Sequence, residues 1–351
     1  MIAKLTQILF FSLAAFVVSY LLYPVYIKVL KKLKAGQQIR EAAWSWGEAS
    51  IFKELHAHKA GTPTMWWGIF LIVMAMMVII SMILQYYGYI NNSLFNRSET
   101  YVLIFAFFSM GILWLVDDYL NIKGKGDVKW LTSKIKFIWM FLFSGFISRW
   151  FYEKLGIDYL NLRPFAGEVD LGLALPLITF VFTVWLVNAV NITDWLDGLV
   201  WWLILMVLLV IGVMAFISQW YLATTLIGII IWSLVAFLRY NINPAKIFMG
   251  DAGSLGLWGL VATMVYLLNI NTWIIIPFLI LFSIFWLEIW TSLLQMIWKK
   301  VFKKKLFTIA PYHHSLEKKG MEEHSIVMKF WLIQWILGAI ALMMLFYQYS
   351  L

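Results

Sequence analysis

The sequence predicts an all-α, polytopic integral membrane protein, and three observations support this fold class. Of its 351 residues, 63% are hydrophobic and only 13% are charged. A soluble domain carries about 25% charged residues, so no soluble fold could bury this much apolar surface. Apolar runs long enough to cross a bilayer recur along the whole chain, and the basic residues cluster between them.

Ten apolar segments are predicted to be spanning helices, each of about 20 residues. They lie near 5–27, 64–86, 101–116, 135–152, 171–190, 199–217, 220–238, 254–270, 272–297 and 326–349. The first run is too long for a cleavable signal peptide and lacks a small-residue cleavage site, so we interpret it as a spanning helix. No linker or internal repeat divides the chain, which predicts one domain over 1–351. The absence of cysteine excludes disulfides and thiolate metal sites.

The distribution of Lys and Arg predicts the orientation of these helices. The odd-numbered gaps between helices hold the basic clusters, around 28–59, 123–136, 239–246 and 299–319, whereas the even gaps hold Arg97, Lys154 and Arg163. The odd gaps are therefore predicted to be cytoplasmic, and ten helices place both termini outside. The segment 151–170 becomes an external loop that can form a hairpin. Basic loops beside anionic lipid account for the net charge of +9 and argue against nucleic-acid binding.

Five aspartates fall at or inside the odd gaps, on the predicted cytoplasmic face: Asp117, Asp118, Asp194, Asp197 and Asp251. Carboxylates at the end of an apolar helix are costly unless they face water, a metal or a partner. The adjacent pair Asp117 and Asp118 can supply a metal ligand and a base, with a solvated helix end as the alternative. A transporter would place such groups near the bilayer midplane, and a scaffold would not need aligned carboxylates, so both classes are disfavoured.

Two further motifs contain aspartates. Asp194 and Asp197 are three residues apart, so on a helix they would share a face, with Asn191 one turn earlier. A polar face flanked by apolar residues makes a poor core. Asp251 lies between glycines just before a predicted helix, where free N–H groups favour a phosphate. A helix cap formed by Asp251 or Ser254 is the alternative.

Two loops are candidate anion sites. Residues 59–65 contain a Gly/Pro turn flanked by Lys59, which suits a phosphate-binding corner or is only a turn. His313 and His314 are adjacent and lie beside basic residues. They could bind a metal, an anion or nothing, and the basic surroundings slightly favour an anion.

In combination, these segments resemble the polyprenyl-phosphate N-acetylhexosamine-1-phosphate transferase superfamily, and within it the phospho-N-acetylmuramoyl-pentapeptide transferase family. The matching motifs are Lys59–Met65, Val116–Tyr119, Asn188–Asp194, Phe248–Ser254 and Pro311–His314. The resemblance covers nearly the whole chain. Ser315 replaces the third histidine of the family's last motif, although the sequence that follows is similar. The alternative is the sister activity, a UDP-GlcNAc:undecaprenyl-phosphate GlcNAc-1-phosphate transferase, which differs mainly in this loop.

The resemblance implies a Mg²⁺-dependent enzyme of peptidoglycan synthesis in the bacterial cytoplasmic membrane, and a homodimer is an expectation. The reaction would transfer phospho-MurNAc-pentapeptide from UDP-MurNAc-pentapeptide to undecaprenyl phosphate, giving lipid I and UMP. The resemblance also implies catalytic roles for Asp117, Asp118 and Asp251, with Asp251 as the metal ligand. The implied substrate-binding residues are Lys59, Thr64, Lys136, Asn191, Asp194, Asp197, His313 and His314. Direct attack by the lipid phosphate and a covalent phospho-enzyme both remain open.

The chain has 21 tryptophans, several at positions where the family pattern has glycine. These are Trp66, Trp67, Trp114, Trp130, Trp195, Trp201, Trp202 and Trp258, with Trp44 and Trp46 as further cases. Replacing glycine by tryptophan adds the largest side chain where helices or ligand must approach closely. Interfacial belts account for Trp150, Trp220 and Trp273, but not for Trp195. We hypothesise that the source organism uses UGA as a glycine codon, whereas this sequence was translated from the gene with UGA as a tryptophan codon.

Overall fold

The computed structural model describes residues 2–33, 36, 61–65, 67–123, 133–162, 167–248, 251–269 and 275–350. Within these ranges the chain forms twelve α-helices and one small hairpin. The helices are α1 (Ile2–Lys32), α2 (Trp67–Tyr86), α3 (Ser98–Lys123), α4 (Ser133–Trp150), α5 (Leu175–Thr193), α6 (Leu199–Ile217), α7 (Tyr221–Asn241), α8 (Asp251–Asn269), α9 (Ile275–Leu281), α10 (Ser283–Phe302), α11 (Tyr312–Lys318) and α12 (Glu323–Ser350).

The helices match a polytopic membrane protein, which confirms the predicted fold class. In the described part of the chain, α1, α2, α3, α5, α6, α7 and α12 are long and apolar enough to cross a membrane. The helices α9 and α10 make an eighth span if the pair, bent by 67°, counts as one. Each of the ten predicted segments coincides with a helix or with this bent pair. The count of ten spans and the external termini stay predictions, because α4 is more polar and the apolar helix within α8 is shorter.

The predicted hairpin is confirmed in the segment between α4 and α5. After a π-helical turn, strand β1 (Tyr159–Asn161) pairs antiparallel with strand β2 (Glu168–Asp170). The end of α8 anchors this hairpin. The backbone N–H of Asn161 donates to Oδ1 of Asn269 at 2.7 Å, and Nδ2 of Asn269 donates to the Asn161 carbonyl at 3.0 Å.

The core of the bundle includes a tight packing of α2 against α3 and α8. The indole of Trp67 is fully buried and stacks on Phe70, with 5.3 Å between the ring centroids. A side chain at Gly111 of α3 would collide with this indole, and a Cβ at Gly256 of α8 would lie 2.5 Å from its Cζ2. The two glycines therefore leave the space that the indole fills. Because both lie against the same indole, Gly111 of α3 and Gly256 of α8 are at the same height along the bundle.

Candidate active site

Hydrogen bonds join the segments that connect helices at one end of the bundle. The Phe248 N–H, just before α8, donates to the Pro63 carbonyl, just before α2, at 2.8 Å. The Asp197 N–H, between α5 and α6, donates to Oε1 of Glu323 at the start of α12 at 2.7 Å. These contacts bring together segments that carry the predicted site residues.

The adjacent aspartates lie within α3 rather than after it. The predicted span ended at 116, but the helix continues to Lys123, so Asp117 and Asp118 sit in its last turns. Both are buried, with 3% and 5% of their surface exposed. Nζ of Lys136, in the first turn of α4, lies 2.5 Å from Oδ2 of Asp117. This ion pair offsets the cost of burying the carboxylate and ties α4 to α3.

The start of α8 lies at the level of these aspartates. Because Gly111 and Gly256 contact the same Trp67 indole, they mark a common height on the antiparallel helices α3 and α8. Asp117 is six residues beyond Gly111 (117 − 111), and Asp251 is five residues before Gly256 (256 − 251). At 1.5 Å per residue, the two positions lie about 9 Å and about 7.5 Å toward the same end. The Asp251 side chain itself lies outside the described part of the structure.

The prediction that Asp194 and Asp197 share a helical face is wrong. The helix α5 ends at Thr193, Asp194 is its half-buried cap residue, and Asp197 lies in the turn that follows. Gly198 has a φ of 75°, which L-residues rarely adopt, and it is the N-cap residue of α6. Asn191 remains on α5, one turn before the break.

Asp197 makes hydrogen bonds that connect this turn to two other segments. It is 5% exposed, and its Oδ2 accepts hydrogen bonds from the Ala245 N–H at 3.0 Å and from Nδ2 of Asn243 at 3.3 Å. Its own N–H reaches Glu323. Asp197 therefore holds the segment after α7 against the turn after α5, and its implied role beside the nucleoside stays a prediction.

The adjacent histidines lie on the short helix α11, each beside a glutamate. Nδ1 of the fully buried His313 lies 3.1 Å from Oε2 of Glu288 on α10. Nδ1 of His314 lies 2.5 Å from Oε2 of Glu317. The sequence reasoning did not single out Glu288, although a lone acid within the apolar run 272–297 is a functional signal in a membrane helix.

The loop before α11 is anchored independently of these histidines. Gln295 of α10 accepts from the N–H groups of Leu306 and Phe307 at 3.0 and 2.8 Å, and donates to the Phe307 carbonyl at 3.0 Å. The Ser315 hydroxyl, where the family motif has histidine, donates to the Ile309 carbonyl at 2.5 Å. Ser315 thus fixes the loop through its short side chain.

The indole of Trp195 connects the histidine loop with the aspartate turn. Its ring centroid lies 6.2 Å from that of His314, and 42% of the residue is exposed. Trp201 and Trp258 are buried in the core, and Trp202 stacks on Trp331 with 4.5 Å between centroids. The codon hypothesis for these tryptophans stays a prediction.

The remaining predicted residues are placed as follows. Thr64 is half-buried in the turn before α2. Lys59 lies outside the described residues, as do Trp44, Trp46, Trp66 and Trp130, and the structure does not describe the side chain of Trp114.

The side chains at this end of the bundle determine which ligands it can bind. No group of three or more His, Asp or Glu residues that could hold a metal occurs among the described residues. Mg²⁺ does not need such a cage, because one or two carboxylates, water and substrate phosphates complete its shell. Buried carboxylates beside an ammonium group and the start of a helix suit the binding of phosphate with a divalent cation.

Comparisons with known proteins agree with this arrangement. A model of the family described as glycosyl transferase family 4 matches residues 100–269. A phospho-N-acetylmuramoyl-pentapeptide-transferase of Clostridium acetobutylicum is 35% identical over 343 residues, covering 96% of this chain and 99% of the relative. Proteins of the same name from Staphylococcus carnosus and Staphylococcus aureus are each 33% identical, over 340 and 350 residues. They cover 94% and 96% of this chain, and 97% and 98% of their own lengths.

Proposed function

The chain belongs to the phospho-N-acetylmuramoyl-pentapeptide transferase family, and on that premise we propose how its residues carry out the transfer. It is a membrane-embedded transferase of peptidoglycan synthesis, and the sister activity on UDP-GlcNAc is not favoured. The proposed donor is UDP-MurNAc-pentapeptide, the acceptor is undecaprenyl phosphate, and the products are lipid I and UMP. We place the reaction at the cytoplasmic face of the bacterial cytoplasmic membrane, because the aspartates lie in the gaps that carry the basic clusters.

The observation that carries this proposal is the buried ion pair between Asp117 and Lys136 at the level where α8 begins. Phosphoryl transfer depends mainly on holding the phosphates in place and neutralising their charge. In this proposal, Lys136 turns from Asp117 to a phosphate oxygen when the substrate binds, because its Nζ is the ammonium group next to the buried carboxylate. The freed carboxylate of Asp117, together with Asp118, then accepts a proton from the acceptor phosphate or contributes to the metal site.

The donor set fits Mg²⁺, which would neutralise the diphosphate when it is bound. Asp251 is the proposed ligand, at the start of α8 and at the level of Asp117 and Asp118. Lys59 and Thr64 would hold phosphate oxygens from the turn before α2. Asn191 and Asp194 would line the diphosphate site, and Asp197 the nucleoside side. His313 and His314 would contact the sugar-phosphate part. A homodimer is part of the proposal.

The test is a transfer assay on the full chain in lipid nanodiscs. Undecaprenyl phosphate and Mg²⁺ are supplied with either UDP-MurNAc-pentapeptide or UDP-GlcNAc, and UMP release is measured. We expect release with the muramoyl substrate, loss of release with EDTA, and loss in Asp251→Ala. Glu168→Ala, an exposed acid on β2, is the control and should leave the rate unchanged. Release with UDP-GlcNAc alone would assign the chain to the sister activity.

A further inference from the structure

A carboxylate and an imidazole are buried together where α10 meets α11. Glu288 lies in the second turn of α10, just after the 67° bend that follows α9. Its side chain and that of His313 are both fully buried. The family resemblance assigned His313 to substrate binding and gave no role to Glu288. A carboxylate is rarely buried in a membrane helix without a specific partner.

Both donors of His313 that face α10 converge on one oxygen of Glu288. Nδ1 lies 3.1 Å from Oε2, and the backbone N–H of His313 lies 3.4 Å from the same atom. An ionised carboxylate only accepts hydrogen bonds, so an ionised Glu288 requires the proton of the His313 ring to be on Nδ1. In that tautomer Nε2 is an acceptor, and the ring plane is fixed by the contact to α10.

The other ring nitrogen of His313 has no hydrogen-bond partner among the described residues, although it is buried. A buried polar nitrogen left without a hydrogen-bond partner is unfavourable, and most buried polar atoms in native proteins have one. The ring of His313 is 4.2 Å from that of His314, which faces Trp195 beside Asp194. The His313 ring therefore lies beside the residues of the candidate site, and Nε2 is its remaining nitrogen for a donor group.

A purely structural role would make the pair a tether for the loop between α10 and α11. That tether already exists, because Gln295 makes three hydrogen bonds to Leu306 and Phe307 and Ser315 binds Ile309. An apolar pair of similar size would hold α11 against α10 at least as well as a buried Glu–His pair. The polar pair is better explained by the orientation it gives to the His313 ring.

We propose that Glu288 is a positioning residue for the transferase: it holds Nδ1–H of His313 toward α10 and so presents Nε2 to a hydroxyl or amide N–H donor on the sugar of the nucleotide substrate. The inference rests on the proposed function, because it takes the nucleotide sugar as the ligand. Outer carboxylates that orient metal-bound histidines act in the same way, and their loss costs about 10–100-fold in affinity or activity.

The experiment compares variants of the full chain by the kcat/KM for UDP-MurNAc-pentapeptide at saturating undecaprenyl phosphate. Glu288→Gln keeps an acceptor oxygen and should stay within about 3-fold of the unmodified chain. Glu288→Ala should fall by about 10–100-fold. His313→Asn keeps a donor near the Nδ1 position but lacks Nε2, so it should fall at least as far while its thermal unfolding in detergent is unchanged. Ser292→Ala, one turn further along α10 and fully buried, is the control and should match the unmodified chain.

The double variant Glu288→Ala/His313→Asn separates positioning from a structural role. If Glu288 acts through His313, the double variant should be no slower than His313→Asn, because the two residues act as one unit. Losses that multiply, or a His313→Asn variant with normal kcat/KM, would overturn the proposal. If Glu288→Ala does not fold, the kcat/KM of His313→Asn still tests the proposal. Failure of the unmodified chain to release UMP from the muramoyl substrate would count against the proposed function instead.

Discussion

Nζ of Lys136 lies 2.5 Å from Oδ2 of Asp117, and this contact joins the first turn of α4 to the last turns of α3. The carboxylate is almost fully buried and the ammonium is 18% exposed. Removing one member of such a pair leaves the other charge without compensation, which is why the pair matters for stability as well as for the proposed phosphate binding.

Lys136→Ala should lower both stability and activity. We expect a loss of about 2–3 kcal/mol, below the range for a fully buried pair because the lysine is partly exposed, and a fall in kcat/KM of at least about 10-fold. Thermal unfolding in detergent and UMP release measure the two effects. Lys134→Ala, two residues earlier and exposed, is the matched control. Equal effects of both substitutions would contradict a specific role for the Asp117 contact.

In the chain that carries Trp67, Gly256→Ala should lower stability, because the new Cβ would lie 2.5 Å from Cζ2 of the buried Trp67 indole. Overpacking of this kind costs about 1–3 kcal/mol. Gly145→Ala on α4 meets nothing within 4 Å, so it should be neutral or stabilising through its better helix propensity. Detergent thermal unfolding distinguishes the two, and a Gly256→Ala variant as stable as Gly145→Ala would show that α8 can shift away.

Glu323→Ala should loosen the turn between α5 and α6, because Oε1 of Glu323 accepts the Asp197 N–H at 2.7 Å. A hydrogen bond to a charged group contributes about 1.5–3 kcal/mol. We expect a smaller kcat/KM and faster amide exchange around residues 194–198, while Glu323→Gln should retain most of the activity. The neighbouring Glu322 side chain is 74% exposed, so Glu322→Ala should change neither quantity.

Trp195→Gly should raise the activity of this chain without much change in stability. The residue is 42% exposed, comes between Asp194 and Asp197 in the sequence and lies beside the ring of His314, so in the proposed site the indole would occupy space that a substrate needs. The steady-state kcat/KM tests this, with Trp290→Ala on the exposed face of α10 as the control.

The gene tests the codon hypothesis directly, because we expect UGA at codons 66, 67, 195, 201 and 202 and UGG at codon 331. UGG at the first five would rule out the codon hypothesis.

Sequence patterns predicted the bundle well because lipid imposes a length and an apolar composition on each helix. They also selected Asp117 and Asp118, since paired acids are conspicuous at the end of an apolar run. They could not predict that Lys136 pairs with Asp117, because that contact depends on how α4 packs on α3. The spacing of Asp194 and Asp197 did not predict their arrangement, since the helix that would have aligned them ends at Thr193 and the next begins only after Gly198. Glu288 was missed because its partner lies 25 residues away, on a helix that folds back.

The packing of Trp67 between Gly111 and Gly256 makes these three positions dependent on one another. A large residue at 67 is compatible only with glycine at the other two, whereas glycine at 67 would leave room for a side chain at 111 or 256. Among related sequences, we therefore expect the three positions to covary, with their total side-chain volume nearly constant. The ends of α3 and α8 that carry Asp117 and Asp251 would then keep their spacing, while the individual residues change.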